Sequence, residues 1–350
     1  MCEYLVEGLP GQPVRRDKVS VLQHRRPVRQ FITLVAVTGL LAGCAQGAFS
    51  TREGRIGPDD GTDACRPELV ALDSTGNFFG AQILTGAAIG AATGALAGGV
   101  IGRDWKGALI GAAVGGALGA AGGYWSALQQ QSRDQAGMLT QVRGDLSKEN
   151  AQIDRTQQTF DRLGDCRFRQ AQQIRGDYAA KRIDRVTAVA RMNAVKQRAQ
   201  RDLALGQQIN SQIGGRGQQF EVAADNLAPG TKAAIAAQAP RPRPVQVRQA
   251  TVIKVTPDSQ APDVGRLNSA DSVTVTGTRG GYASVQTSDG QRGYVPTSAL
   301  QGGLPPARPQ GGASEDVRTL AGSNAARRDS FSESVAVYQQ AANTGFEIAG

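Results

Sequence analysis

Apolar and polar positions along this chain fall into four patterns, and each predicts a different element. The first is a short apolar run at residues 31–41, preceded by Arg25, Arg26 and Arg29 and followed by small residues. It is too short to span a bilayer as a helix, which needs roughly 20 apolar residues. The second occupies residues 78–125. Gly86, Gly90, Gly94, Gly98 and Gly102 recur at every fourth position. After Arg103-Asp104-Trp105-Lys106, the spacing repeats at Gly107, Gly111, Gly115, Gly119 and Gly123. Residues four apart share a helix face, so each half carries a smooth glycine stripe. Ile83, Leu84, Ile89, Leu96, Val100 and Ile101 line the first half, and Leu109, Ile110, Val114 and Leu118 the second.

The third pattern fills residues 126–213, which are rich in Gln, Arg, Asp and Ala and contain no Pro. Leu139, Val142, Leu146, Ile153, Phe160 and Leu163 recur at three- and four-residue steps, and Ile174, Ile183, Val186, Val189 and Val195 continue the seam. This heptad-like spacing predicts a helical hairpin. Residues 178–184 read as its turn, with Asp184 as a helix N-cap, and Gly214-Gly215 as the end of the second arm. The fourth pattern has a period of two. After a Pro- and Arg-bearing linker at 240–248, short strands begin at Thr251, Ser272, Tyr282 and Gly293. Gly277, Gly280-Gly281 and Asp289-Gly290 mark turns, the last a hairpin signal. A Pro/Gly linker at 302–312 follows. Ser330 to Glu333 then form a capping-box pattern ahead of Val335 and Tyr338, which predicts a short amphipathic helix.

Composition adds a reason for the glycine stripe. Gly is destabilising in a helix by near 1 kcal/mol against Ala, so ten in register imply a compensating role. In membranes that role is close helix approach through small-xxx-small packing. Each half is long enough to cross a bilayer core. The polar break reads as a hairpin turn with Trp105 at one interface, and Tyr124 and Trp125 mark the other. A stretch that packs only within its own protein is the alternative. Across 350 residues, 40% hydrophobic and only 5% aromatic, modules joined by linkers are expected rather than one large core. The net charge is +9. Residues 1–43 hold six basic and three acidic residues, so +6 remains from residue 44 onward. Those basic residues are interleaved with acids, so solvated helix faces are expected and nucleic acid is not.

The basic residues, the apolar run and the small residues have the layout of a secretory signal. Leu41-Ala42-Gly43-Cys44 matches the lipobox, so the chain resembles bacterial lipoproteins. The resemblance implies that the Cys44 thiol takes a lipid, that the leader is cut before it, and that acyl chains such as palmitate anchor the product. Several chains anchor firmly where one is marginal. The residues before Arg25 are long for a leader and contain acids, so a start further downstream is expected. Ala45 after the cysteine implies sorting to the outer membrane. A lipobox followed by a paired zipper is similar to the glycine-zipper envelope lipoproteins, which implies membrane-associated self-assembly.

Of four cysteines, Cys2 precedes the signal and Cys44 is the lipid site, leaving Cys65 and Cys166. In an oxidising periplasm the two are disulfide candidates, with free thiols or an intermolecular bridge as alternatives. The strand order resembles bacterial SH3-like domains, including the closing Gly293-Tyr294-Val295 and the turn after it. The Arg-Ser-Gly-Pro step usual after the first strand of that family is absent. The resemblance implies a cell-wall peptide ligand, with Tyr282, Tyr294 and Asp271 as the candidate face.

The fold class expected is multi-module α + β: a signal with lipobox, a glycine-zipper helical hairpin, a long coiled-coil-like helical hairpin, a small all-β SH3-like barrel and a short C-terminal helix. The divisions are a leader (1–43), an N-terminal tether (44–77), the zipper (78–125), the helical hairpin (126–213), a linker (214–248), the SH3-like domain (249–300), and a linker with helix (301–350). The one histidine, His24, lies in the leader, so Ser-His or Cys-His catalysis and the usual zinc sites are excluded beyond it. No nucleotide-binding fingerprint occurs. No enzyme, metal or cofactor is expected beyond the lipid on Cys44. The function read is a structural envelope tether. Its partners are membrane lipid, further copies of itself, and peptidoglycan or an envelope protein. A pore or secretion component and an accessory regulator of a wall enzyme are the rivals.

Overall fold

Two long helices form the spine of the molecule, because apolar residues keep returning to one face of each. In the computed structural model, which describes residues 51–80, 117–131, 134–302, 304 and 316–348, there are seven α-helices and six strands. All the described residues but Thr51 belong to one unit, Arg52–Gly350. Cys44, the leader and zipper glycines Gly86 to Gly115 lie outside the described residues. Helices α1 (Arg52–Ile56) and α2 (Arg66–Gly80) come first, then α3 (Ala117–Gln131). The spine is α4 (Gln135–Ala179) and α5 (Arg185–Leu227), followed by the short α6 (Thr231–Ala237). At 45 residues, α4 is roughly 67 Å long at 1.5 Å per residue.

The hairpin turns where its polar residues require it. Asp184 caps α5, its carboxylate accepting from the Thr187 amide at 2.8 Å. Gly214-Gly215 does not end the second arm: α5 runs through it to Leu227. The residues beyond it bury Phe220, Ala223, Ala224 and Leu227 against α3 and α4, which outweighs the poor helix propensity of two glycines. The expected linker at 214–248 therefore holds the end of α5, all of α6 and a first strand.

Strands β1 (Arg243–Gln246), β2 (Thr251–Lys254), β3 (Asp263–Leu267), β4 (Ser272–Arg279), β5 (Tyr282–Gln286) and β6 (Arg292–Pro296) form one antiparallel sheet. Its order is β1-β4-β5-β6-β2-β3. Pro244 is tolerated because β1 is an edge strand. Gly280, Gly281 and Gly290 take positive φ in the hairpin turns, where a Cβ would be strained. One face of the sheet buries Val273, Val275, Ala283, Val285 and Val295 in the barrel core.

Helix α7 (Val317–Thr344) completes the unit. It starts at Asp316, which accepts from the Thr319 amide, and the Ser330 capping pattern lies inside it. Phe331, Tyr338 and the terminal Phe346 pack on Phe160 and Phe168 of α4. Val255 and Ala261 of the barrel join this same apolar cluster, so barrel and helices share a core. Cys65 and Cys166 are joined by a disulfide, their Cα atoms 5.9 Å apart, which staples the start of α2 to α4.

Candidate functional site

The outer face of the barrel sheet is polar by sequence and nevertheless buried. In β5 and β6 the expected alternation fails, because three successive residues are buried in each: Ala283-Ser284-Val285 and Gly293-Tyr294-Val295. Ala283, Val285 and Val295 face the barrel core. Ser284 and Tyr294 face α7. The Tyr294 hydroxyl shares a hydrogen bond with Ser334 at 2.9 Å, and Ser284 donates to Glu333 at 2.6 Å. Arg279 crosses to α4, donating to Asp161 at 2.8 Å, and lies 5.6 Å from the Tyr294 ring centre. Thr256 donates to Asp165 at 2.8 Å.

Burial pushes the Asp165 carboxyl up to about 6, against the Thr256 hydrogen bond. It raises Asp161 also, although the Arg279 guanidinium pulls the other way. The Tyr294 phenol is held well above its ordinary value by burial.

Beside these contacts a cleft of ≈380 Å³ opens between sheet and helices. Arg279, Arg292 and Tyr294 line it from the sheet, Gly214 from α5, and Glu333 and Ala336 from α7. The guanidiniums of Arg279, Arg292 and Arg328 and the carboxylates of Asp329 and Glu333 line it together with small residues such as Ala326 and Gly277. Arg292 donates to Gln286 at 2.9 Å and stands 3.6 Å from Glu333.

The three residues suggested as a ligand face do not form one. Tyr294 is buried at 3% exposure beneath α7 and contributes only to the inner wall of the cleft. Tyr282 is half-buried and pairs with Arg279 and Pro296 at one end of β4. Asp271 precedes the other end, accepting from the Asn268 amide in a turn. A β-strand rises about 3.3 Å per residue, so the length of β4 separates the two. The residues missed are Arg279, Ser284 and Arg292 on the sheet and Glu333 and Ser334 on α7. Their one sequence signal was a polar outward row on β4 to β6.

A second construction stands where the zipper segment leaves and rejoins the helices. Helix α2 runs antiparallel to α4, its Thr75 carbonyl accepting from Gln152 at 2.8 Å. On the α3 side, Tyr124 donates to Asp145 at 2.9 Å and packs edge-on against Phe220. Between the two levels Arg216 and Glu149 form a buried ion pair at 2.6 Å. The Arg216 guanidinium lies 4.9 Å from the Phe78 ring centre. The helices on either side of residues 81–116 are thus anchored around one ion pair. Tyr124 is therefore no interface marker: it is fully buried, its pKa raised by burial and then by Asp145. Trp125 packs half-buried on the same cluster. Gly119 and Gly123 lie in α3. Among the described residues no helix is long and apolar enough to cross a membrane.

Near the disulfide, Arg167 is fully buried between Asp63 and Asp202, donating to Asp202 at 2.6 Å. Burial opposes its charge, but the hydrogen bonds to Asp63 and Asp202 outweigh that and raise its pKa.

Two family models match the chain. The YMGG-like Gly-zipper matches residues 69–127, extending into both α2 and α3. The bacterial SH3 domain matches residues 250–301. No curated protein and no solved structure matches it. The chain combines a glycine-zipper region with a C-terminal bacterial SH3 domain, a pairing consistent with a membrane-associated protein of the bacterial envelope.

Proposed function

We propose that this chain is a non-enzymatic structural lipoprotein. A lipid on Cys44 and the paired zippers hold and assemble it at a membrane, and the SH3 domain contacts the cell wall. The signal and Ala45 support an outer-membrane location facing the periplasm. The observation that carries the reading is the common support of the two matched regions. The helices flanking the zipper and the SH3 domain all pack on the α4–α5 hairpin, and the Cys65–Cys166 bridge fixes α2 to it. Such a body joins the helices that flank the zipper segment to a binding domain through one packed core.

The wall peptide is assigned to the cleft beside Tyr294. Pockets formed between domains, with mostly apolar walls and a few placed polar groups, are the usual seats of small ligands. A short peptide with small side chains and a carboxylate suits a cleft lined by Ala and Gly together with the guanidiniums of Arg279, Arg292 and Arg328. Co-sedimentation of the full chain with purified peptidoglycan tests the assignment. Saturable sedimentation is expected, and Ala336→Trp, which fills the cleft, should abolish it. Sedimentation of that variant at the wild-type level would remove the cleft from the reading. Failure of the wild type to sediment would remove the wall and leave an envelope protein as the partner.

A further inference from the structure

The net charge is not spread over the molecule. Residues 169–202, the distal part of the α4–α5 hairpin, hold nine basic residues against three acidic. Their +6 equals the whole net charge of residues 44–350, so the rest of that span is neutral. Interleaving in the sequence hides this, because each local acid is already committed. Asp202 is buried against Arg167, Asp184 caps α5, and Asp177 pairs with Arg182 at 2.6 Å. Lys181, Arg185, Arg191 and Lys196 form no ion pair among the described residues.

The same tip carries the two exposed large hydrophobic residues of the described chain. Val186 is 78% exposed and Val189 38%. At 3.6 residues per turn, Arg185, Val186, Val189 and Lys196 fall within an arc of about 100°, which adjoins the stripe of buried Ala188, Met192 and Val195. A row of cations alone is a solvated face. Cations surrounding exposed aliphatic side chains form an amphipathic cap.

We propose that this tip is a membrane contact additional to the lipid and the zipper. It docks on an anionic phospholipid surface, with Val186 and Val189 at the headgroup–acyl boundary and the surrounding Lys and Arg at the phosphates. Lipid is favoured over other polyanions by the valines. A bilayer takes up aliphatic side chains, whereas single-stranded nucleic acid is gripped through aromatic stacking and an acidic polymer offers no apolar phase. The tip lies roughly 45–50 Å along α4 from the Glu149–Arg216 pair, at 1.5 Å per residue. It is therefore remote from Gly80 and Ala117, between which the zipper segment runs.

Co-flotation tests this with the full chain held in nanodiscs of phosphatidylcholine. Vesicles of phosphatidylcholine, with or without a third of phosphatidylglycerol, are the probe. Binding is expected only to the anionic vesicles and should weaken with salt. A basic residue near such a surface contributes about 1 kcal/mol, or about fivefold. Replacing Lys181 and Arg185 together by Gln should weaken binding roughly 25-fold. Val186→Ser with Val189→Ser should weaken it roughly tenfold. All four side chains are exposed, so an unchanged melting temperature certifies the fold. Absence of co-flotation by the wild type, or wild-type binding by the glutamine variant, overturns the proposal. So does unchanged binding by the serine variant with DNA or polyphosphate as an effective competitor, which would make the tip a general polyanion site.

Discussion

Breaking the Cys65–Cys166 bridge tests how the segment ahead of the zipper is held. The two cysteines are 101 residues apart in sequence, so their bond closes a long loop in the unfolded chain. On the chain-entropy model, a loop of about 100 residues is worth about 4–5 kcal/mol. Cys65 is fully buried and sits beside the Asp63–Arg167–Asp202 network, so native packing offers it no room to relax. For a unit of this size, 1 kcal/mol moves the melting temperature by about 2–4 °C, so reduction should lower it by roughly 10–15 °C. Far-UV circular dichroism of the full chain in nanodiscs, melted with and without a phosphine reductant, reads the effect. The double variant Cys65→Ala, Cys166→Ala should melt at the lower temperature and ignore the reductant. Hydrogen exchange in α2 should rise in both reduced and variant protein. A wild-type melting temperature unmoved by complete reduction, verified by thiol alkylation, would refute the reasoning and leave α2 held by packing alone.

Two further predictions concern the SH3 domain and its dock. Burial raises Asp165 to about 6, above the roughly 3.9 of an unfolded chain, so the folded state binds the proton more tightly. Stability should therefore rise as pH falls from 7 to 4.5, by about 1–2 kcal/mol once partial solvent screening is allowed for. Asp161 shifts in the same direction, and Asp63, which Arg167 holds low against its burial, loses its contribution only at more acid pH. Asp165→Asn, which keeps an acceptor for Thr256, should stabilise the protein at pH 7 and flatten part of this slope in urea titrations. A steeper slope in that variant would contradict the assignment. At Gly293, a Cβ would stand 2.7 Å from the Lys254 carbonyl oxygen and 2.3 Å from Ile253 Cγ2. Gly293→Ala should therefore cost about 1–3 kcal/mol through overpacking where β6 meets β2, seen as an earlier urea midpoint.

Much of this architecture was legible because its signals are periodic. The four strands expected at Thr251, Ser272, Tyr282 and Gly293 form as β2, β4, β5 and β6, and the hairpin turn carries its cap in Asp184. Strand β1 was not legible: Arg243-Pro-Val-Gln246 reads as a linker until its pairing with β4 is known. Strand β3 was hidden by Gly265 at its centre. Gly214-Gly215 misled because local propensity yields to the burial of Phe220 and its neighbours. The start of α7 was missed for a related reason. Ser330 to Glu333 has the chemistry of a cap, but Glu333 and Ser334 are used for docking to Ser284 and Tyr294. The surroundings of the candidate ligand face were the least legible, since the burial of Tyr294 at 3% exposure cannot be read from a sheet pattern when another segment covers it.

That covering sets how binding by the SH3 domain has to be measured. The dock between sheet and helices is built from hydrogen bonds and an ion pair: Tyr294–Ser334, Ser284–Glu333, Thr256–Asp165 and Arg279–Asp161. A net hydrogen bond contributes about 1 kcal/mol, so these fix orientation more than they add affinity. Apolar attachment comes from Val255 and Ala261, which enter the helical core cluster. Cutting the chain to residues 249–300 would uncover both, leave Tyr294 and Ser284 without their helix partners, and delete β1 from the sheet edge. An isolated segment would therefore present a face that the intact protein keeps covered, and any ligand it bound there would compete with α7. Only the full chain preserves the cleft, because its opposite wall is α7 itself. A wall fragment that bound the isolated segment and not the full chain would report on that uncovered face and not on the function of this protein.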